Sequence, residues 1–208
     1  MRGDVTDSGI MRVLSKICDI VCLNVLWLVC SLPIITIGAS TTALYTVMLK
    51  LVKNEEGYIF KGFLHAFKLN FKQSTIIWLI LLLCGGVCFV DYRISEMMPG
   101  TLGMVFKSVF LLLAFFLISV TIYSFALTAR YENTIGATLK NALLLTVAKL
   151  PYTILMTALT VGAVVLSWWN TGILMLTIPV WILAGTGILA FINSLSLIHI
   201  SEPTRLGM

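Results

Sequence analysis

SLPIITIGASTTALY, residues 31–45, is the stretch that decides how this chain is arranged. It lies inside an apolar region, residues 13–53, that is about twice as long as one membrane-spanning helix needs to be. Pro33 would remove a backbone hydrogen bond near the middle of any single helix drawn through this region. The sequence therefore predicts a helical hairpin, with spans at 13–33 and 36–53 and SLPIIT as the bend.

The composition places the chain in a membrane. Of its 208 residues, 59% are hydrophobic and 11% are charged, whereas charged residues make up about a quarter of a soluble protein. The net charge of +5 comes from lysines and arginines spread over the gaps between apolar blocks. In that position they set topology and contact lipid headgroups, so nucleic acid is not an expected partner.

Four further segments each hold the roughly 20 apolar residues that a spanning helix requires. They are residues 73–93, 104–127, 144–166 and 171–193. The predicted fold class is all-α, a polytopic membrane helix bundle of about six transmembrane helices. The apolar blocks leave no room for a separate soluble domain, so residues 1–194 form a single predicted domain.

The basic residues predict the orientation, because lysine and arginine accumulate in cytoplasmic loops. With a hairpin at the start, eleven of them fall on one side and only Arg93 and Lys107 fall on the other. The predicted cytoplasmic set is Arg2, Arg12, Lys16, Lys50, Lys53, Lys61, Lys68, Lys72, Arg130, Lys140 and Lys149. The sequence thus predicts that both termini are cytoplasmic and that the bend faces outward.

An amphipathic helix is predicted between the second and third spans, in YIFKGFLHAFKLNFKQ, residues 58–73. At 100° per residue its apolar and basic side chains separate onto neighbouring faces. The apolar face holds Phe60, Phe63, Leu64, Phe67 and Phe71, and the basic one holds Lys61, His65, Lys68 and Lys72. This pattern is typical of a helix at the membrane interface. Two interpretations stay open: a surface anchor, or a docking surface for a cytoplasmic partner.

Residues that could carry catalysis are scarce. His65 lies in the basic stripe without a serine and a carboxylate at a spacing that suggests a triad, and Glu55 and Glu56 share a loop with lysines. The five cysteines lie within hydrophobic segments with no histidine nearby, and are expected to be reduced, buried core residues: Cys18, Cys22, Cys30, Cys84 and Cys88. The sequence predicts no catalytic residues, no metal site and no cofactor, and hence no enzyme.

Neutral polar residues occupy the predicted spans. The ones that stand out are Asn24, Thr41, Tyr45 and Tyr123. Such side chains commonly hydrogen-bond across helices and hold a bundle together. The alternative is a polar lining for a neutral hydroxylated solute such as a sugar.

Several motifs resemble one family. NVLWLVCSLPIITIGASTTALYTV (24–47), EEGYIFKGFLHAFKLNFKQSTIIW (55–78), NTIGATLKNALLLTVAKLPYT (133–153) and AFINS (190–194) are similar to the YesL-type bacterial integral membrane proteins. The resemblance implies a multi-pass protein of the bacterial cytoplasmic membrane. It also implies an association with carbohydrate ABC transporters and glycan-degrading enzymes. No catalytic residues can be carried over from the family.

The carboxyl-terminal segment departs from that family. LSLIHISEPTR, residues 195–205, matches the translation of a sequencing-library adapter. The native sequence is therefore expected to stop at about Ser194, with residues 195–208 as a non-native tail.

The leading functional hypothesis is a non-enzymatic accessory component linked to carbohydrate ABC-type uptake, which contacts transporter subunits through residues 55–72 and 129–149. The alternative is an autonomous small transporter for a neutral solute. The predicted partners are the lipid bilayer and carbohydrate ABC transporter subunits. Six spans are also compatible with a homo-oligomer.

Overall fold

The protein is helical wherever it is regular. The computed structural model describes residues 9–53, 55, 57–169, 171–181 and 185–201, and this part of the chain contains no strand. Its helices are α1 Gly9–Ser31, α2 Ile37–Val52, α3 Ile59–Glu96, α4 Gly100–Arg130, α5 Ile135–Ala148, α6 Leu150–Trp168, α7 Thr171–Val180 and α8 Thr186–Ser201, with a 3-10 turn at Ile34–Thr36 between α1 and α2. Five segments are long and apolar enough to cross a membrane: Leu14–Ser31, Ile34–Val52, Ile59–Glu96, Gly100–Arg130 and Leu150–Trp168. The predicted all-α polytopic membrane bundle is confirmed.

The chain turns at Pro33. α1 ends two residues before it, and α2 begins at Ile37 after the 3-10 turn. The Thr36 hydroxyl lies 2.6 Å from the carbonyl oxygen of Cys30 and 2.7 Å from that of Pro33, and donates to them. Thr36 thus gives a partner to the carbonyl oxygen of Cys30, in the last turn of α1, where the helix leaves carbonyl groups without helical partners.

α2 is the central helix of the bundle and packs against α1, α3, α4 and α8. Its buried positions include small residues, such as Gly38, Ala39 and Ala43. A Cβ added at Gly38 would lie 2.5 Å from the carbonyl oxygen of Ser74 and 2.6 Å from the Cβ of Trp78. Small side chains therefore let α3 approach α2 closely, as in other membrane helix pairs.

α3 is a single helix of 38 residues. At 1.5 Å per residue it is about 57 Å long, nearly twice the roughly 30 Å hydrocarbon core of a bilayer. The predicted amphipathic helix is therefore not a separate element but the first part of α3. No proline or glycine separates residues 58–73 from the following span, so nothing in the sequence interrupts the helix there.

The bend between α1 and α2 lies beside the middle of α3. The indole nitrogen of Trp78 donates to the carbonyl oxygen of Ile34 across 2.8 Å, and α3 then continues to Glu96, about 27 Å further on. The sequence interpretation placed the bend and the α3–α4 turn, residues 97–99, at the same outer surface. The structure instead separates them by nearly the thickness of a hydrocarbon core, because α2 pairs with the first half of α3 and not with its second half.

The fifth predicted span is interrupted. Segment 144–166 breaks at Lys149, where α5 ends and α6 begins with a proline in its first turn. Segment 171–193 contains α7, with Pro179 near its end, and α8. Trp181 and Gly185, which lie between these two helices, are π-helical. Of residues 195–201 the structure describes only the backbone, as part of α8, and the rest of the tail and Arg2 lie outside the described residues.

The cysteines do not lie in the core. All five are free thiols; Cys18, Cys22 and Cys84 are exposed, and Cys30 and Cys88 are partly exposed. The expectation that they are buried is wrong for this fold. A membrane bundle turns apolar side chains outward to lipid, so a hydrophobic setting does not require burial inside the protein.

Candidate functional site

A row of exposed basic side chains runs along the first part of α3. We call it the basic face and define it as Lys61, His65, Lys68 and Lys72, all of which are exposed. They recur at the three- and four-residue spacing of one side of a helix. The ammonium group of Lys61 lies 5.2 Å from the centre of the Tyr58 ring. The helix therefore presents a continuous basic surface.

The phenylalanines of this segment divide between surface and core. Phe60 and Phe71 are exposed beside the basic face. Phe63 is fully buried in the main hydrophobic core, and Phe67 is partly buried against that core. The rings of Phe67 and Phe71 meet edge to face at 5.4 Å. Of these four rings, Phe60 and Phe71 are the ones exposed to lipid or a partner. Phe63 is not, because it lies on the side of α3 that faces α2.

A groove lies next to the basic face, between α1, the end of α2 and the start of α3. It has a volume of about 880 Å³, and Lys61 and His65 line it. Asp19, Lys50 and Glu55 contribute further charges to its wall. The groove therefore has acidic and basic side chains next to apolar ones. Such a mixed surface is better suited to bind a protein segment than a small anion.

The polar residues predicted inside the membrane are hydrogen-bonded between helices. The Trp27 indole on α1 donates to Thr41 Oγ1 on α2 across 3.1 Å, and the Asn193 amide donates to the Tyr45 hydroxyl across 3.2 Å. A similar contact of 3.1 Å joins the hydroxyls of Tyr123 and a threonine of α6. Each pair links two different helices, which is the bonding expected of interhelical packing.

Asn24 joins α1 to the part of the chain where α7 is followed by α8. Its amide nitrogen donates to the carbonyl oxygen of Trp181 across 2.9 Å, and its amide oxygen accepts from the backbone nitrogen of Gly187 across 3.0 Å. The Thr186 hydroxyl also donates to this oxygen. Trp181 and Gly185 are π-helical, which is a local departure from the hydrogen-bond pattern of the α-helix. Asn24 bonds to backbone groups at Trp181 and at Gly187, and so connects α1 to this part of the chain.

Thr41 and Tyr45 meet at a cavity inside the bundle. Its volume is about 220 Å³, below the range of drug-sized ligand pockets. Its polar and aromatic lining residues are Trp27, Thr41, Tyr45, Trp78, Thr121, Phe125, Thr160, Thr186 and Asn193. Tyr123 and Asn24 are not among its lining residues, so the structure brings together only two of the four candidates.

Sequence reasoning missed three of the polar residues that connect α3 to its neighbours. Gln73 donates to the carbonyl oxygen of Asn133 across 2.8 Å, and Ser74 shares a 2.8 Å hydrogen bond with Thr42 of α2. Together with Trp78 they lie on the side of α3 that faces the bundle. The spacing of Trp78, four residues after Ser74 and five after Gln73, is the signal that could have indicated this side.

A metal or cofactor site is not apparent in the described part of the chain. No group of three histidine, cysteine, aspartate or glutamate side chains lies close enough together there to hold a metal ion. At the α3–α4 turn, Glu96 pairs with Arg93 at 3.2 Å and with Lys107 at 3.8 Å. Their exposure fits a structural pairing at the end of a helical hairpin.

The helices and this arrangement of surfaces define a polytopic α-helical membrane protein. Residues 20–92 match the family described as "Protein of unknown function, DUF624". The chain is 31% identical over 149 residues to the uncharacterized protein YesL of Bacillus subtilis (strain 168), with 69% of each chain covered. It is 29% identical over 143 residues to the uncharacterized protein YteU of the same organism, which covers 67% of this chain and 64% of YteU. No solved structure matches the chain. The chain belongs to the YesL-type family, as its motifs indicated.

Proposed function

We propose that this protein is a non-enzymatic accessory component of carbohydrate ABC-type uptake in the bacterial cytoplasmic membrane, and that it docks to transporter subunits through the basic face. The observation that carries the proposal is that the basic face is exposed on a helix too long for the bilayer. The link to carbohydrate uptake comes from the family resemblance in the sequence. The groove beside the basic face supports a protein partner.

The orientation follows from the charges at the two ends of the molecule. Among the described residues, the end at the α3–α4 turn carries two bases, Arg93 and Lys107, and both pair with Glu96. The opposite end carries the basic face together with Lys50, Lys53, Arg130 and Lys140. Because basic residues remain in the cytoplasm, the basic face is cytoplasmic and is accessible to the inner parts of a transporter.

The partner surface is acidic and contains apolar pockets. Exposed ion pairs contribute only about 0.2–1 kcal/mol each, so several lysines must act together with the exposed rings of Phe60 and Phe71. Aromatic side chains are the usual anchors of such contacts. An acidic cytoplasmic segment of a permease or of its ATP-binding subunit has the required chemistry.

Co-purification from membranes of cells grown on oligosaccharides tests this proposal. The tagged chain is expected to retain transporter subunits after gentle cross-linking. The triple variant Lys61→Gln, Lys68→Gln, Lys72→Gln is expected to retain about tenfold less, because the free energies of three weak ion pairs together correspond to about this factor in affinity. Arg93→Gln with Lys107→Gln is the matched control at the other end and should retain the wild-type amount. Equal losses from both variants, or no transporter subunit with the wild type, would refute the docking role.

A second candidate function is favoured by one observation. Residues with hydroxyl groups and with aromatic rings line the cavity of about 220 Å³. One of them, Thr186, is the first residue of α8 and follows the π-helical Gly185. π-helical stretches within α-helices are frequent at functional sites. This arrangement supports an autonomous transporter for a small neutral solute such as a monosaccharide.

Flux measurements in proteoliposomes separate the two functions. A transporter would move a neutral sugar alone, and Thr41→Val with Tyr45→Phe would abolish the flux, because both residues line the cavity and lose their hydroxyl groups. Thr146→Val is the control, since Thr146 donates to the carbonyl oxygen of Ala142 and does not line the cavity. The accessory role predicts no flux from any of the three proteins.

A further inference from the structure

A third concave site lies between α2, α4 and α5, away from the groove beside the basic face. Its volume is about 470 Å³. Leu49 of α2 and Leu144, Leu145 and Ala148 of α5 form much of its apolar wall. Arg130, at the end of α4, supplies a positive charge to the same cavity. The site thus combines an extended apolar surface with a single basic group.

The polarity of the site changes along α5. Asn141 lies at the polar end together with Asn133, which precedes the helix. Ala148 lies at the apolar end, seven residues and about 10 Å further along the helix. The outward side chains of Leu143 and Val147 are exposed, so the apolar end continues onto a surface that faces lipid. A molecule lying along α5 would therefore meet polar groups at one end and hydrocarbon at the other.

We infer that this cavity binds one anionic phospholipid, with its phosphate at Arg130 and Asn141 and an acyl chain along Leu49, Leu144 and Ala148. Arginine binds phosphate oxygens through two parallel hydrogen bonds. Basic pockets between membrane helices are known sites for anionic headgroups. A soluble phosphate would leave the apolar part of the cavity empty, and a zwitterionic phospholipid would bring the positive charge of its own headgroup close to Arg130.

The test uses the purified full-length chain in nanodiscs. Phosphatidylglycerol is titrated into nanodiscs of phosphatidylcholine, and bound lipid is counted by native mass spectrometry after release of the protein. One phosphatidylglycerol is expected to stay bound to the wild type. Arg130→Gln is expected to bind it about tenfold more weakly, because a hydrogen bond to a charged group is lost.

Two further variants separate a defined site from general attraction. Ala148→Phe fills the apolar end without changing any charge and is expected to weaken binding, whereas Arg93→Gln removes a base at the distant turn and should not. Equal binding by all variants, no preference over phosphatidylcholine, or competition by inorganic phosphate alone would each overturn the inference. If Ala148→Phe does not fold, a photoactivatable phosphatidylglycerol is bound to the wild type instead. It is expected to cross-link within α5 or the end of α4. A cross-link elsewhere would also overturn the inference.

Discussion

At the scale of single residues, the protein uses neutral polar side chains as connectors between helices. Asn24 is the clearest case, because it bonds to backbone groups at both Trp181 and Gly187. Serines and threonines elsewhere connect α2 to α3 and α4 to α6. In a region without water each such bond replaces an unsatisfied group, so its loss is felt by the whole bundle.

Replacing Asn24 by leucine is expected to destabilise the protein by about 1–3 kcal/mol, because backbone groups at Trp181 and Gly187 lose their partners. Thermal unfolding in detergent measures the effect. Thr41→Val is the matched control, since it removes one bond between two side chains and should cost less than about 1 kcal/mol. Equal stability of the two variants would contradict the connecting role of Asn24.

Gly38 is expected to tolerate no larger side chain. In Gly38→Val the added atoms would collide with the backbone of Ser74 and with Trp78, and overpacking of this kind costs about 1–3 kcal/mol. Gly86→Ala is the control, because an added Cβ there meets nothing within 4 Å. The midpoint of thermal unfolding should fall for the first variant only. A Gly38→Val protein as stable as the wild type would show that α2 and α3 are not in close contact.

At the scale of elements, local sequence signals predicted most helices, but they did not predict how the helices pack against each other. Pro33 marked the turn between α1 and α2 because proline removes a backbone hydrogen bond from the interior of a long helix. Nothing local indicated that α2 would pair with the first half of α3, since this depends on Trp78 reaching the carbonyl oxygen of Ile34. Phe63 entered the core for the same reason: the sequence showed an apolar stripe, and only the position of α2 decides which of its rings are covered.

The two turns are expected to differ in accessibility from outside the cell. With the native cysteines replaced, Met98→Cys should react with a membrane-impermeant maleimide on intact cells. Ile34→Cys should not, because the bend lies about 27 Å short of the level of the α3–α4 turn. Both side chains are exposed on the protein itself, so both cysteines should react after solubilisation in detergent. Equal labelling on intact cells would place the bend at the outer surface.

At the scale of the whole molecule, the chain has two unlike ends joined by a lipid-facing middle. The second half of α3 and the first half of α4 expose apolar side chains such as Leu83 and Leu112 on nearly all sides. The other end carries the basic face, the groove beside it and the cavity at Arg130. This asymmetry could be predicted from the distribution of lysine and arginine, whereas the grooves and cavities could not, because they form where helices distant in sequence diverge.

The measurement that tests the docking role most directly is site-specific photo-cross-linking in living cells. A benzophenone amino acid replaces His65 on the basic face or, as control, Leu83, which is 71% exposed on the lipid-facing part of α3. The proposed function predicts a protein adduct from position 65 that contains a transporter subunit, and no protein adduct from position 83. Absence of an adduct at position 65, or adducts from position 83 alone, would contradict docking through the basic face.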